Sequence, residues 1–427
     1  MMAVAETGVR SGVAAGVGFS SSPFVPQLAA AERLEQIDLT DPRLFLLGDP
    51  HAAWKQLRDE APVYWHARGA RGTHGQGFWA VTRFADCAAV HRQHEVFSNA
   101  QTEFLDLLPE DMPMQLSSMD APLHMHYRRA VQRFFTPKEI EKREAEVRAI
   151  VGSILDAASQ QDGSFNFHTQ IAAQVPFLAT CGLLGIDAQG AQAMADRLHA
   201  LDYAGQDPLA AYANTVMKFF EDATAQWPRD NPDSILSAVL NADIGGTPIT
   251  HADAMAYLWI LFTGALDTTA HAASTGLLSL FQHPDQLARI RANPLLAGEA
   301  VGELLRWTST SNVVKHVVKV DTELAGVKIR AGDHVATYPP SANRDERVFA
   351  DPYRFDITRK LDSGIFTFGG GPHVCLGQHF ARLELRVLFE ELFRRFPDIE
   401  QAGPSSRGEA FTLTLSPIAE LPVKLNG

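Results

Sequence analysis

The sequence predicts a mainly α fold with small β-sheets in one large domain. Helical periodicity dominates from about Ala121 to Trp307. Short alternating runs, VVKHVVKV (313–320) and GVKIRAGDHVATY (326–338), read as strands. Across 427 residues no interior Ser/Gly linker, charge block or repeat of fixed period marks a join.

The elements follow in chain order. The start, MMAVAETGVRSGVAAGVGFSSSPFVPQ, is small and polar and lacks a basic segment followed by an apolar one. Residues 1–28 are therefore expected to be a mobile arm and 29–427 the domain. TPKEI (136–140), NPDSI (231–235) and HPDQL (283–287) place Pro before acidic residues, as helix starts do. The most apolar interior run, Ala254 to Leu266, is 13 residues and leads into Asp267. That is short of the ~20 needed to span a bilayer, so a soluble, cytoplasmic protein without membrane insertion is expected. From about Arg344 to Gly371 no period is sustained. A long irregular stretch inside a compact domain is usually functional.

Bulk composition excludes several classes. A net charge of −13 argues against nucleic-acid binding, which needs clustered Lys and Arg to neutralise phosphates. Three cysteines, Cys87, Cys181 and Cys375, are too few and scattered for a disulfide framework or a cysteine zinc cluster. The apolar surroundings of Cys87 and Cys181 read as core.

Cys375 is different, because it lies in FGGGPHVCLG (368–377), just before an amphipathic helical run. Glycines at 369, 370 and 371 let the backbone turn and approach a flat ligand, and Gly377 permits a tight exit. A helix N-terminus next to the sulfur favours thiolate over thiol. A thiolate serves a soft metal or a nucleophile; a packed cysteine in a Gly-rich turn is the competing reading.

Three further constellations stand out. FTGALDTT (262–269) sets Asp267 and Thr268 inside a long apolar helix over 250–282, with the Thr268 hydroxyl able to reach the Gly264 carbonyl one turn back. It reads either as a kink with a satisfied polar pair or as a groove where a hydroxyl and a carboxylate manage protons. GELLRW (302–307) puts Glu303 and Arg306 on one helical face, a spacing also common on surfaces. In DAPLHMHYRR (120–129), Pro122 opens a helix on which His124 and Arg128 share a face, as either a solvated basic face or an anion cradle.

Taken together in this order, these residues resemble the cytochrome P450 family of haem-thiolate monooxygenases, of the soluble bacterial type, over about residues 40–425. Phe368, Gly371, His373, Cys375 and Gly377 match the family's haem-binding loop. The resemblance implies haem b (iron protoporphyrin IX) between the long central helix and the cysteine loop, with Cys375 as the axial ligand. It implies that Asp267 and Thr268 relay protons to dioxygen, with Gly264 opening the oxygen groove. Glu303, Arg306 and Arg354 correspond to a structural set that holds the irregular segment. His124, Arg128 and His373 correspond to residues that bind the haem propionates. A further propionate ligand, usually Arg, falls at His316 here, beside Lys315; a second departure is Ala265, where many members have Gly.

The implied activity is O2- and NAD(P)H-dependent hydroxylation, with electrons from a ferredoxin, or a flavodoxin, and its reductase. Arg128, Arg129, Arg133, Arg382 and Arg386 are expected to form a basic docking patch. The implied substrate pocket comprises Ile260, Thr263, Gly264, Asn312, Val313, Val314, Thr414 and Leu415, under the loop FLDLLPEDMPMQ (104–115). Its mostly apolar character suits a compact, terpenoid-like hydrophobic molecule; fatty acids, steroids and aromatics stay open. The alternatives are a peroxygenase using H2O2, a non-catalytic haem-thiolate sensor or electron carrier, and a cofactor-free cysteine hydrolase.

Overall fold

The structure, a computed structural model, describes residues 33–41, 44, 50–101, 104–105, 115–201, 208–224, 231, 233–407 and 418–425. The arm expected over 1–28 lies outside them. Helices that carry the argument are α1 (His51–Glu60), α2 (Phe84–Arg92), α3 (Leu123–Val131), α4 (Glu144–Ala158), α5 (Gln174–Leu184), α6 (Pro208–Thr224), α7 (Ile235–Leu240), α8 (His251–Gln282), α9 (Val301–Thr308) and α10 (Gln378–Arg395). Among the described helices none is long and apolar enough to cross a membrane.

Local chemistry sets several boundaries. Thr250 caps α8 by accepting the Asp253 N–H at 3.1 Å, satisfying a donor that the helix start would otherwise leave open. At NPDSI the cap is Ser234, so the helix begins at Ile235. At HPDQL it begins on Pro284 itself, as expected. α8 runs 32 residues without a break. It is apolar nearly all round, so it must be buried on nearly all sides. Its neighbours supply that: Tyr257 donates to the Tyr127 carbonyl of α3 at 2.8 Å, Phe262 meets Phe177 of α5 and Phe220 of α6 edge-on, and Gly276 lets Phe389 of α10 come close.

The strands before the irregular segment are β1 (Val63–His66), β2 (Phe78–Val81), β3 (Phe97–Ser98), β4 (Phe165–Asn166), β5 (Val314–Val318), β6 (Thr322–Leu324), β7 (Val327–Ile329) and β8 (His334–Thr337). The run 326–338 is thus two strands, β7 and β8, parted by a turn where Gly332 takes φ +90°. The main sheet has the order β1-β2-β8-β5-β3. Its β2–β8 pair is parallel, and β5 pairs β8 antiparallel with His316 opposite Val335. That register places His316 inside the fold, 2% exposed, while Lys315, on the strand's other face, donates to the Gly72 carbonyl at 2.9 Å. From Arg344 to Gly370 the described chain holds no α-helix or strand.

Candidate active site

The cysteine loop is closed by backbone bonds, from Cys375 N–H to the Phe368 carbonyl at 2.9 Å and from Val374 N–H to Gly371 at 3.1 Å. Gly369 and Gly371 adopt φ +67° and +62°, a region that favours glycine. Their neighbour is α2, not open space: a Cβ on Gly371 would stand 2.0 Å from the His91 carbonyl oxygen. These two glycines therefore let the loop turn and lie directly on α2. Gly377 differs, since its φ of −82° suits any residue and a Cβ there would meet nothing within 4 Å. It borders open space beside the sulfur.

The Cys375 side chain is accessible although it lies deep in the fold. Burial pushes its thiol above the ordinary value, against the Gly377 N–H and the Arg128 charge, which favour thiolate. In the bare chain burial outweighs the helix terminus. Arg382 packs over the Phe368 ring at 4.9 Å, and Arg128 donates to the Val374 carbonyl at 2.8 Å.

A group of imidazoles borders the loop. His124 stacks on His373 with centroids 3.9 Å apart. His316 Nδ1 bonds Asn99 Oδ1 at 3.0 Å and meets His91 edge-on, while His91 Nε2 bonds Thr337 Oγ1 at 3.0 Å. Burial pushes His91 and His124 down to about 4 and His373 to about 3, with Arg128 adding to the fall at His124. His316 is held well below its usual value, by burial first and then by His91, His373 and Lys315. Yet His316 Nε2 is buried with no partner, an omission that costs free energy unless something polar meets it. A carboxylate placed there would accept from it and favour imidazolium. Arg128, His124, His373 and His316 form a donor set suited to a dicarboxylate.

The central helix carries a second accessible segment. Gly264 and Asp267 are accessible in the middle of a largely buried helix, and Thr268, next to Asp267, is half-buried. The Thr268 hydroxyl donates to the Gly264 carbonyl at 3.2 Å. A Cβ on Gly264 would touch only Ile260 Cδ1, at 3.7 Å, so the helix presents a notch. Solvent reaches Asp267, but the group lies deep, and burial lifts its carboxyl from 3.8 to about 6. Thr263 spends its hydroxyl on the Trp259 carbonyl at 2.9 Å. Asn312 and Val313 are buried and Val314 half-buried at the start of β5. Thr414, Leu415 and residues 106–114 of the expected covering loop lie outside the described residues.

Below the loop, Glu303 and Arg306 form a fully buried bidentate pair at 2.6 and 2.8 Å. The third member of this set is Arg359, not Arg354. Arg359 Nε donates to Glu303 Oε1 at 3.2 Å, and its other nitrogens reach the carbonyls of Ala350, Asp351 and Arg354. Arg354 points outward and is exposed. Both residues fall in DPYRFDITR (351–359), and only the path of the turn selects between them. Asn343, which the sequence did not single out, donates to Ser309 Oγ and Thr367 Oγ1 and accepts the Phe366 N–H.

The expected basic patch is thinner than five arginines. Arg128 and Arg382 turn inward, as above. Arg386 is paired with Glu144 at 2.7 Å and Glu390 at 3.4 Å, within a network that includes Arg148 and Glu391. Arg129 and Arg133 are exposed.

Comparisons with known proteins agree on one family. A family model described as Cytochrome P450 matches residues 206–402. The chain is 34% identical over 399 residues to the putative cytochrome P450 126 of Mycobacterium tuberculosis, covering 88% of this chain and 95% of that protein. It is 30% identical to a steroid C26-monooxygenase of Rhodococcus jostii, covering 93% and 85%. Among solved structures, CYP108D1 of Novosphingobium aromaticivorans matches with TM-score 0.81 and 27% identity over 93% of this chain and 99% of that one. CYP268A2 of Mycobacterium marinum, in complex with pseudoionone, matches with TM-score 0.81 and 28% identity over 93% and 100%.

Proposed function

The chain belongs to the cytochrome P450 family of haem-thiolate oxidoreductases, and from that premise we propose that it hydroxylates a compact hydrophobic molecule, with Cys375 as the thiolate ligand of haem b. When bound, the haem supplies the activation of O2: one oxygen atom enters a C–H bond and the other leaves as water, using two electrons and two protons. The observation that carries the assignment of residues is the pairing of accessible surface at depth. Cys375, and Gly264 with Asp267 in the central helix, are reached by solvent although each lies deep or in a buried element.

The protein's own groups then have distinct tasks. Arg128, His124, His373 and His316 hold the two propionates, with the unpartnered His316 Nε2 supporting its inclusion. Glu303, Arg306 and Arg359 tie the irregular segment to α9 so that the loop keeps its shape. Asp267, protonated up to about pH 6, holds a proton one turn from the notch at Gly264. The Thr268 hydroxyl, already turned to the Gly264 carbonyl, orients that proton's path. Ile260, Val313 and Val314 supply apolar pocket wall, and with the Thr263 hydroxyl committed to its own helix the pocket suits a terpenoid-like or steroid-like molecule. The steroid C26-monooxygenase relative and the pseudoionone-bound neighbour support that class. Electrons come from NAD(P)H through a reductase and a ferredoxin or flavodoxin, for which Arg129 and Arg133 are the exposed cations on the α3 side.

The test is the absorption spectrum of the dithionite-reduced protein under carbon monoxide. A strongly red-shifted Soret band is expected, and Cys375→Ser removes it. A protein without haem, or with haem lacking that band, overturns the assignment.

A further inference from the structure

Asn343 stands at the end of the short helix Pro339–Ala342 and is fully buried. Its amide joins two segments that lie far apart in the sequence. The nitrogen donates to Ser309 Oγ at 2.6 Å, just past α9, and to Thr367 Oγ1 at 2.9 Å, just before the cysteine loop. The oxygen accepts the Phe366 N–H at 2.6 Å.

What the two hydroxyls already do sets the direction of these bonds. Ser309 donates its proton to the Arg306 carbonyl at 3.0 Å, and Thr367 donates its proton to the Leu305 carbonyl at 2.8 Å. Each hydroxyl therefore turns only lone pairs toward Asn343, whereas the Phe366 backbone turns an N–H. Two donors and one acceptor on so short a side chain are what an asparagine amide supplies. A carboxylate of the same shape keeps the acceptor and loses both donors. Ser309 carries a second sign of the bridge, because it is buried at φ +37°. That left-handed conformation costs free energy for a residue with a side chain and persists where its surroundings hold it. The bonds of its hydroxyl to Arg306 and Asn343 supply that hold.

We infer that Asn343 is a positioning residue for the cysteine loop. It couples α9, and so the Glu303–Arg306 pair, to the segment 366–368, whose last carbonyl accepts the Cys375 N–H at 2.9 Å. Arg306 closes the circuit, its Nη1 donating to the Asn343 carbonyl at 2.8 Å. Asn343 thereby fixes the backbone from which the Cys375 sulfur projects. Its effect on the iron rests on the assignment of Cys375 as the ligand.

The experiment is amide hydrogen exchange in the full-length, haem-loaded protein, read on peptides from the cysteine loop and from α4, together with the carbon monoxide spectrum. In Asn343→Asp the amides of Phe366 to Cys375 are expected to exchange about tenfold faster, the scale of one buried bond lost, while α4 keeps its rates. The share of the complex showing the red-shifted Soret band falls with them. Thr367→Val removes one of the two acceptors and is expected to act in the same direction; it carries the test if Asn343→Asp does not fold. Unchanged loop exchange in the folded variants overturns the positioning role. So does an equal acceleration in α4, which would mark a general loosening. Faster loop exchange with an unchanged band overturns the link to the iron. A wild-type protein without the band instead removes Cys375 as the ligand, and the exchange rates still decide whether Asn343 holds the loop.

Discussion

Arg359 Nε lies 3.2 Å from Glu303 Oε1, and through that contact the end of the irregular segment is tied to the helix bearing the Glu303–Arg306 pair. Glu303 is 1% exposed, and its Oε1 also accepts from Arg306 and from the Asp356 N–H. Removing Arg359 leaves the Glu303–Arg306 pair in place but takes a donor from Glu303 Oε1 and from the carbonyls of Ala350, Asp351 and Arg354. Arg359→Ala is expected to cost about 1–3 kcal/mol and to lower haem retention. Arg354→Ala, at an exposed position, is expected to stay within about 0.5 kcal/mol. Urea unfolding of both variants checks this; equal losses would show that the two arginines share the task.

Two glycines of the cysteine loop make opposite predictions. Gly371→Ala drives a methyl into the His91 carbonyl and takes a residue with a side chain to φ +62°. The loop must move, so both stability and haem content fall. Gly377→Leu meets no protein atom near its Cβ. It is expected to change thermal stability of the haem-free protein by no more than about 1 kcal/mol while lowering haem uptake. Normal uptake in Gly377→Leu would remove the argument that this space is the cofactor's.

Thr268→Ala deletes a hydroxyl whose bond, among the described residues, runs back to its own helix. The fold and haem content are expected to be retained while reducing equivalents go to hydrogen peroxide rather than product. Measuring peroxide against product per NAD(P)H consumed decides it. Full coupling in this variant would assign the proton path elsewhere.

The imidazoles set the pH dependence of stability. His91, His124 and His168 are pushed down from 6.5 to about 4, in each case first by burial. The unfolded chain therefore binds more protons between about pH 6.5 and 4. Stability from these groups is present above 6.5 and lost as pH falls through 4. Asp267 opposes them, because its carboxyl is raised from 3.8 to about 6 by burial. Its contribution is complete below 3.8 and is lost as pH rises through 6. The haem-free protein is expected to gain stability from pH 4.5 to 6.5, and Asp267→Asn to make that gain steeper. Urea midpoints at the two pH values test it, and a slope unaffected by Asp267→Asn would contradict the raised carboxyl.

Electron delivery separates the arginines. Arg129→Glu or Arg133→Glu is expected to raise the KM for an acidic ferredoxin at low salt, with the difference shrinking as salt is added. Arg386→Ala should leave that KM unchanged and instead loosen α4 from α10, because its charge is already spent on Glu144 and Glu390. A KM effect from Arg386→Ala would restore it to the docking face.

The parts legible in the sequence were those whose chemistry lies within a few residues. The Thr268 hydroxyl on Gly264 is an i, i−4 bond, and the Glu303–Arg306 pair is i, i+3. The strand periods of 313–320 and 326–338 likewise show in consecutive residues, although the turn at Gly332 divides the second run into two strands. The cysteine loop, taken together with the Asp267–Thr268, Glu303–Arg306 and His124–Arg128 segments, sufficed for the resemblance to the family and the cofactor it implies.

The tertiary structure decided what depends on partners far along the chain. Arg359 meets Glu303 across 56 residues and Arg386 meets Glu144 across 242, and no local pattern distinguishes either from a solvated arginine. The reason for Gly371 lies in the backbone of α2, and the protonation of Cys375 lies in how deeply the fold surrounds it. Sequence alone determined which groups this protein brings to its chemistry, because side-chain type and short spacing are local properties. Packing determined which of them are charged, paired or free, because desolvation and long-range contacts exist only once the chain has folded.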